Sequence, residues 1–376
     1  MNPSIKLNTS ESKDTFCFTL SGVNVSVANS LRRTILADIP TVVFKTTPYE
    51  ENNAIISVNT CRLNNEIIKQ RLSCIPIHIK EPESVPLQNY IVEVNVENLT
   101  DTILYVTTKD FKIKDTTTNK YLDETTRDEI FPANDDTGYY IDFLRLRPKI
   151  SDEIPGEKIQ LTCKMTIGTA KEDGTFNVVS TCAYGFSVDE AKQETELAKK
   201  IQYWKDEGKN HDEIDFEIKN WKLLEGLRVT KADSFDFTIQ SVGVYDNEFL
   251  VLKACEILNK KMRDTHTQIE SDNLKIEKSK STIPNSYDIT LENEDYTIGK
   301  VLEYLLYSKF FETTKMLSYC GFKKFHPHDT YSIIRVAYNE PVDINTIKKH
   351  LIESINDATG AYKKIMMLII RRYRRK

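Results

Sequence analysis

The chain carries a partial copy of itself. Residues 16–37 (FCFTLSGVNVSVANSLRRTILA) align without gaps on residues 287–308 (YDITLENEDYTIGKVLEYLLYS), at a constant offset of 271 (287 − 16). Thr19/Thr290, Leu20/Leu291 and Leu31/Leu302 are identical, while Phe18/Ile289, Asn24/Asp295, Ser26/Thr297, Val27/Ile298 and Ala28/Gly299 are physically similar. An internal repeat changes how every other segment is read, because the 376 residues then no longer divide into two or three unrelated domains.

Each copy reads as a strand followed by a helix. In the first, Phe16, Phe18 and Leu20 alternate with Cys17 and Thr19, the period of a half-buried strand. Asn24 can cap the helix that follows, Val27, Leu31 and Ile35 share one face of it, and Pro40 ends it. Arg32 and Arg33 then project off the apolar face. In the second copy Asp295 is the capping residue and Ile298, Leu302 and Leu305 form the stripe, with Glu303 and Tyr304 in place of the two arginines.

Each copy leads to a later strand–helix segment. Phe235, Phe237 and Ile239 alternate before Gly243, and Val251, Ala254, Leu258 and Met262 follow at helical spacing. Near the end, YSIIRVAY (331–338) reads as a strand closed by Pro341, and Asp343 caps a long helix with the stripe Ile344, Ile347, Leu351, Ile355, Ala358, Tyr362, Ile365 and Ile369. That stripe requires a partner helix, and Gly360 inside it costs about 1 kcal/mol relative to Ala. Residues 47–187 hold many short β-like runs with a short helix near Glu66, and so read as a β-rich insert. Residues 188–230 turn to charged helical sequence. From Thr265 to Pro284 the chain is polar and lacks aromatics, as a flexible linker would, spanning roughly 25 Å as a random coil.

The fold class that follows is α+β: two related strand–helix units forming an internal pseudo-dimer, with the β-rich insert in the first. Hydrophobic residues at 40% and charged residues at 28% suit an ordinary folded protein, and 51 basic against 56 acidic residues (net −5) argue against a whole-surface nucleic-acid binder. The opening stretch MNPSIKLNTSESKD has no apolar core, which argues against a secretory signal, and no apolar run is long enough to span a membrane. The seven cysteines (17, 61, 74, 163, 182, 255 and 320) are scattered with no C-x-x-C pair, so they read as free thiols in a reducing compartment. No Ser–His–Asp order, Walker loop or carboxylate-rich metal motif occurs. His326-Pro327-His328-Asp329 could be a metal or acid–base group or a tight turn before a strand, and the absence of nearby ligand spacing favours the turn. His78, His211, His266 and His350 are isolated in sequence, and no catalytic, cofactor or metal residue is assigned.

Four ordered segments carry a family resemblance. VSVANSLRRTILADIPTVVF resembles the signature of the alpha-like large subunit of multisubunit DNA-directed RNA polymerases, A-N-x-L-R-R running into I/V-P-T, through Asn29, Leu31, Arg32, Arg33, Ile39, Pro40 and Thr41. NNEIIKQRLSCIPI is similar to the family's E-x-I-x-x-R-L-x-x-I-P-I through Glu66, Ile68, Arg71, Leu72, Ile75, Pro76 and Ile77, with Ser73 where many members have Gly. ENEDYTIGKVLEYLL resembles the alpha-like small subunit's E-D-H-T-L-G-N-x-L at Glu294, Asp295, Thr297, Ile298, Gly299 and Leu302, with Tyr296 for His and Lys300 for Asn. CGFKKFHPHDTYSIIRV fits its G-Y/F…H-P…I-R entry at Gly321, Phe322, His326, Pro327, Ile334 and Arg335. Large–small fusions of this kind look like those of nucleocytoplasmic large DNA viruses, the giant viruses.

The resemblance implies a domain plan. Residues 1–46 with 188–264 would be a large-subunit-like dimerisation domain of the alpha-N-terminal type, 188–230 being a charged helical insertion in it. Residues 47–187 would be its insert domain, 265–284 the linker, and 285–376 the small-subunit-like dimerisation domain. Val27, Leu31, Ile35, Val251, Leu258, Ile298, Leu302, Leu351, Ile355 and Tyr362 would line the pseudo-dimer interface. Joining the halves would make their docking intramolecular, at an effective concentration on the order of mM.

Function would be non-catalytic: a platform on which the second-largest and then the largest polymerase subunits assemble, the latter holding the catalytic Asp triad for magnesium. Small zinc-bearing subunits are further implied partners, with DNA and RNA met only through the complex and no membrane contact. Asn29, Arg32, Arg33, Arg71 and Pro76 are the implied subunit-interface residues. The two arginines can equally be solvated helix charges. No cofactor is implied, and the cysteines for the family's zinc loop or iron–sulfur domain are absent. Localisation to virion and host cytoplasm is what the viral resemblance implies, with the nucleus as alternative. The rival class is a stand-alone nucleic-acid-binding regulator using the basic tail RRYRRK, which otherwise reads as a frayed end.

Overall fold

A computed structural model describes residues 1–8, 14–151 and 153–373. From the N-terminus run β1 (Ser4–Leu7), β2 (Thr15–Ser21) and α1 (Val25–Ala37). Next come β3 (Thr41–Val43), β4 (Ala54–Asn59), α2 (Asn65–Ser73), β5 (Tyr90–Glu97), β6 (Leu104–Thr107), β7 (Lys112–Asp115), β8 (Lys120–Tyr121), α3 (Glu124–Ile130), β9 (Asp142–Leu146), β10 (Lys158–Lys164) and β11 (Thr166–Gly168). The chain continues through β12 (Val179–Val188), α4 (Glu190–Asp206), α5 (His211–Leu223), β13 (Thr230–Ser241) and α6 (Asn247–Glu270). It closes with β14 (Ile276–Lys278), β15 (Ser286–Glu292), α7 (Tyr296–Leu306), β16 (Leu317–Lys323), β17 (Tyr331–Tyr338) and α8 (Ile344–Tyr373). The elements form two units, one of residues 1–35, 181–240 and 247–376 and another of 36–180 with 241–246.

The first unit holds both repeats. One four-stranded sheet has the order β1-β2-β13-β12 and the other β14-β15-β17-β16, so each repeat strand sits between a short edge strand and the late strand of its own half. The offset of 271 carries β2 end for end onto β15, and the first residue of α1 onto the first of α7. It also carries Gly22 (φ 73°) onto Asn293 (φ 57°), both left-handed at the turn into the helix. At the first site a Cβ would lie 2.3 Å from the Asn2 carbonyl oxygen, so glycine is required there, while the second tolerates Asn, which enters this region at low cost. Alternation drives the sheets: Phe18 and Leu20 of β2 and Phe235, Phe237 and Ile239 of β13 are buried, and the Phe18 and Phe237 rings stack at 5.0 Å.

The late helices α6 and α8 pack along each other. α6 buries Leu250, Val251, Ala254, Cys255, Leu258 and Met262, and α8 buries its stripe from Ile347 to Ile369. Ile344, the first position of the expected stripe, is instead 46% exposed, because the apolar contact begins one turn into the helix. Asp343 accepts from Thr346 N at 3.0 Å and so caps α8.

Three sequence boundaries move. The run FNVVSTCAYGF, expected within the β-rich insert, forms β12, which is the outer strand of the first repeat's sheet, while the compact insert unit begins at residue 36 rather than 47. The segment 265–284 is not a flexible linker: α6 continues to Glu270, buried Thr265, Ile269 and Leu274 anchor the segment, and β14 pairs with β15. Asp272 (φ 58°) ends the helix, with the Asn273 amide donating back to the Gln268 carbonyl. A polar average concealed these few buried side chains. The charged stretch 188–230 does form two helices, α4 and α5, which build a small core of their own from Trp204, Ile214 and Trp221.

The second unit is β-rich. Its five-stranded sheet has the order β4-β10-β5-β7-β8, with the pairs β3–β11 and β6–β9 beside it. Phe44, Phe111, Phe131 and Phe143 form an aromatic centre with ring centroids 5.4–6.4 Å apart. The α2 cap is Asn64, which accepts from Ile67 N at 2.9 Å, and α2 turns Ile68 and Leu72 into the core.

Candidate functional site

The first unit brings the two repeats together through a mixed apolar and polar interface. Val27, Leu31, Ile35, Val251, Leu258, Ile298, Leu302, Leu351, Ile355 and Tyr362, expected to line it, are all buried in the protein, and α6 packs on α8. Each such side chain contributes about 1.5–3 kcal/mol by leaving water. Polar contacts set the register. The Tyr362 hydroxyl, fully buried on α8, lies 2.7 Å from Ser30 Oγ on α1, and Ser30 also donates to the Val27 carbonyl at 2.8 Å. Burial pushes the Tyr362 phenol upward, with the Ser30 bond partly opposing it. Lys261 of α6 lies 3.3 Å from Glu294 at the start of the second helix.

Arg33, expected to project outward, points to the second repeat. Its Nε donates to Thr297 Oγ1 at 3.1 Å and an Nη to Asp295 Oδ2 at 2.7 Å. Asp295 also caps α7, accepting from Thr297 N at 2.8 Å. Burial would raise the Asp295 carboxyl, but the Thr297 hydrogen bonds and the charge of Arg33 outweigh it and hold the group below the usual carboxylate range. Arg32 takes a different direction. Its Nε and an Nη donate to Asn29 Oδ1 at 3.1 and 3.0 Å, which fixes a half-exposed guanidinium one helical turn along α1. Burial pushes the neighbouring Cys182 thiol up to about 12, with Arg32 pulling it back.

The remaining expected contact residues lie in the second unit. Arg71, an exposed residue, donates to the Phe143 carbonyl at 2.7 Å and the Asp142 carbonyl at 3.0 Å, so its guanidinium ties α2 to β9. Pro76 is half-buried. The His326–Asp329 segment is an exposed turn, with the His326 amide donating to Asp329 Oδ2 at 2.9 Å and the Asp329 amide to the His326 carbonyl at 3.1 Å. His350 is buried against Phe310 at 3.9 Å between ring centroids and lies 2.9 Å from the Tyr338 hydroxyl, an environment whose burial lowers its pKa. Burial likewise pushes the Cys163 and Cys320 thiols up to about 12. Among the described residues no three His, Cys, Asp or Glu side chains gather in a way that could hold a metal ion, and no helix is long and apolar enough to cross a membrane. The basic tail from residue 374 lies outside the described residues.

Sequence reasoning missed the polar half of this interface. The Arg33–Asp295 and Ser30–Tyr362 pairs join residues 262 and 332 positions apart. The available signal was Asp295 itself, which the repeat aligns with a neutral cap, Asn24.

Comparison with known proteins adds a second line. The sequence profile of the RNA polymerase Rpb3/Rpb11 dimerisation domain matches residues 17–262. The chain is 24% identical over 316 residues to DNA-directed RNA polymerases IV and V subunit 3B of Arabidopsis thaliana, covering 72% of this chain and 93% of the relative. It is 24% identical over 294 residues to DNA-directed RNA polymerase II subunit RPB3 of Schizosaccharomyces pombe, covering 71% and 91%. A shorter match of 36% identity over 89 residues, 23% of this chain and 31% of the relative, links it to DNA-directed RNA polymerase subunit Rpo3 of Pyrococcus furiosus.

Proposed function

Because the chain belongs to the RNA polymerase Rpb3/Rpb11 dimerisation-domain family, we propose that it is a non-catalytic assembly subunit of a multisubunit DNA-directed RNA polymerase, with large-like and small-like halves fused. The observation that carries this reading is the presence in one unit of two sheets of the same strand order, their late helices α6 and α8 packed on each other. The profile match ends at residue 262, so the small-like identity of the second half rests on the repeat and on the motif at Glu294–Leu302.

In this reading the pair presents a platform to the second-largest and then the largest subunit, with small zinc-bearing subunits joining and nucleic acid met only through the complex. Asn29 and Arg32 are the contact residues on α1. Arg33, Arg71 and Pro76 complete the proposed contact set, Arg33 while also bonding Asp295 and Arg71 while also bonding β9. The fusion favours a giant-virus polymerase that works in the host cytoplasm and is packaged in the virion. A chain found only in the nucleus would place assembly there.

Affinity purification of the tagged chain tests the reading. The second-largest subunit should co-purify with wild type and be depleted about tenfold or more with Arg32→Glu, since reversing a charge at an interface costs several kcal/mol when it meets like charge and about 1.4 kcal/mol is already tenfold. Wild-type recovery with Arg32→Glu would remove that residue from the contact. A chain that retains RNA or DNA by itself and brings down no polymerase subunit would overturn the reading in favour of a nucleic-acid-binding regulator.

A further inference from the structure

Among the described residues, the Arg33 contact between the paired repeats is made on one side only. Arg33 meets Asp295 and Thr297, and the offset of 271 makes Tyr304, Asn24 and Ser26 their counterparts. The local backbone is the same at both places: Thr297 N donates to Asp295 Oδ1 at 2.8 Å, and Ser26 N to Asn24 Oδ1 at 2.9 Å. The chemistry is not. At the counterpart site Tyr304 and Asn24 border one open cleft, and the shielded Ser26 hydroxyl has no hydrogen-bond partner among the described residues, where Thr297 has the Arg33 guanidinium.

We propose that Arg33 and Asp295 form a heterotypic pairing key, which makes the first repeat select the second and reject a copy of itself. Two first repeats paired in this geometry would set Arg33 against neutral Asn24 on both sides. Two second repeats would set Tyr304 against Asp295, a partly buried carboxylate with no cation. Each wrong pair leaves a partly exposed charge, 36% for the Arg33 side chain and 26% for Asp295, without the counter-charge the right pair supplies. Withholding a counter-charge is one way an interface disfavours a near-identical partner, to an extent that solvent screening reduces. Covalent connection favours the right pair by proximity alone. The key adds chemical rejection, which proximity cannot supply when several chains meet. The inference rests on the pairing of the two repeats and not on polymerase membership, which is tested separately by co-purification.

The full chain can be compared as wild type, Arg33→Glu, Asp295→Asn and the combination of the two, by sedimentation over a range of concentration and by hydrogen exchange of the α6 and α8 amides. Arg33→Glu sets two carboxylates together in the right pair, while a pair of first repeats meets only an amide. Self-association should therefore appear, and exchange along α6 and α8 should quicken about tenfold or more, the equivalent of one charge-assisted hydrogen bond. Asp295→Asn keeps the helix cap, because Asn caps as well as Asp. Added to Arg33→Glu, it should return the chain to its wild-type association state. An Arg33→Glu chain with wild-type sedimentation and exchange would overturn the proposal, as would a combination that self-associates as strongly as the single variant. Should Arg33→Glu fail to fold, Asp295→Asn alone decides, with quickened α6 and α8 exchange supporting the key and unchanged exchange refuting it.

Discussion

Ser30 and Tyr362 share one hydrogen bond, and the two substitutions that break it differ in what they leave behind. Tyr362→Phe removes the phenol, and Ser30 still donates to the Val27 carbonyl at 2.8 Å. Ser30→Ala leaves the Tyr362 hydroxyl inside a fully buried site with its partner gone. An unsatisfied buried donor costs about 1–3 kcal/mol, against about 1 kcal/mol for a lost bond whose remaining group stays satisfied. Denaturant unfolding should therefore rank Ser30→Ala below Tyr362→Phe in stability, and the reverse order would show that the hydroxyl finds another partner. Neither residue stands out in sequence. Tyr362 was legible as part of an apolar stripe, whereas the role of its oxygen depends on a serine more than three hundred residues away.

Helix α8 shows how far periodicity reaches. Its spacing identified Ile344, Ile347, Leu351, Ile355, Ala358, Tyr362, Ile365 and Ile369 as one face, and all but Ile344 are buried in a helix that packs on α6. Gly360 lies off that face, exposed, and a Cβ there meets nothing within 4 Å. Gly360→Ala should stabilise the protein by about 1 kcal/mol, read as a higher unfolding midpoint, because it removes backbone freedom from the unfolded chain without crowding the folded one. Gly299 behaves oppositely. A Cβ there would sit 2.0 Å from the Phe322 ring, so the α7 glycine admits the β16 aromatic and no side chain fits. Composition misled in two places at this scale. A polar stretch hid β14 behind the three buried anchors Thr265, Ile269 and Leu274, and a β-like run was given to the insert although its hydrogen bonds go to the sheet of the repeat.

At the scale of the whole chain, the second repeat reads as the plain version of the first. From α7 it passes through a π-helical turn (Tyr307–Thr313) to β16 and then by a short loop to β17, where the first repeat accommodates the entire β-rich unit after α1 and the α4–α5 hairpin after β12. The short connection between halves follows from α6 ending at Glu270 and β14 starting at Ile276. A protease site placed in the turn at 280–284 should therefore yield, after cleavage, a nicked protein that still elutes as one particle, because the α6–α8 contact and the Arg33 bond remain. Separation into two species would mean that the tether holds the pair. The sequence by itself determined that the chain is a duplicated strand–helix unit with a β-rich insert, since periodicity and self-similarity are local properties that survive without coordinates. Only the tertiary structure decided which charges face inward: a guanidinium on a helix is solvent-facing, partner-facing or paired according to what the other half brings within 3 Å, and at Arg33 that was Asp295.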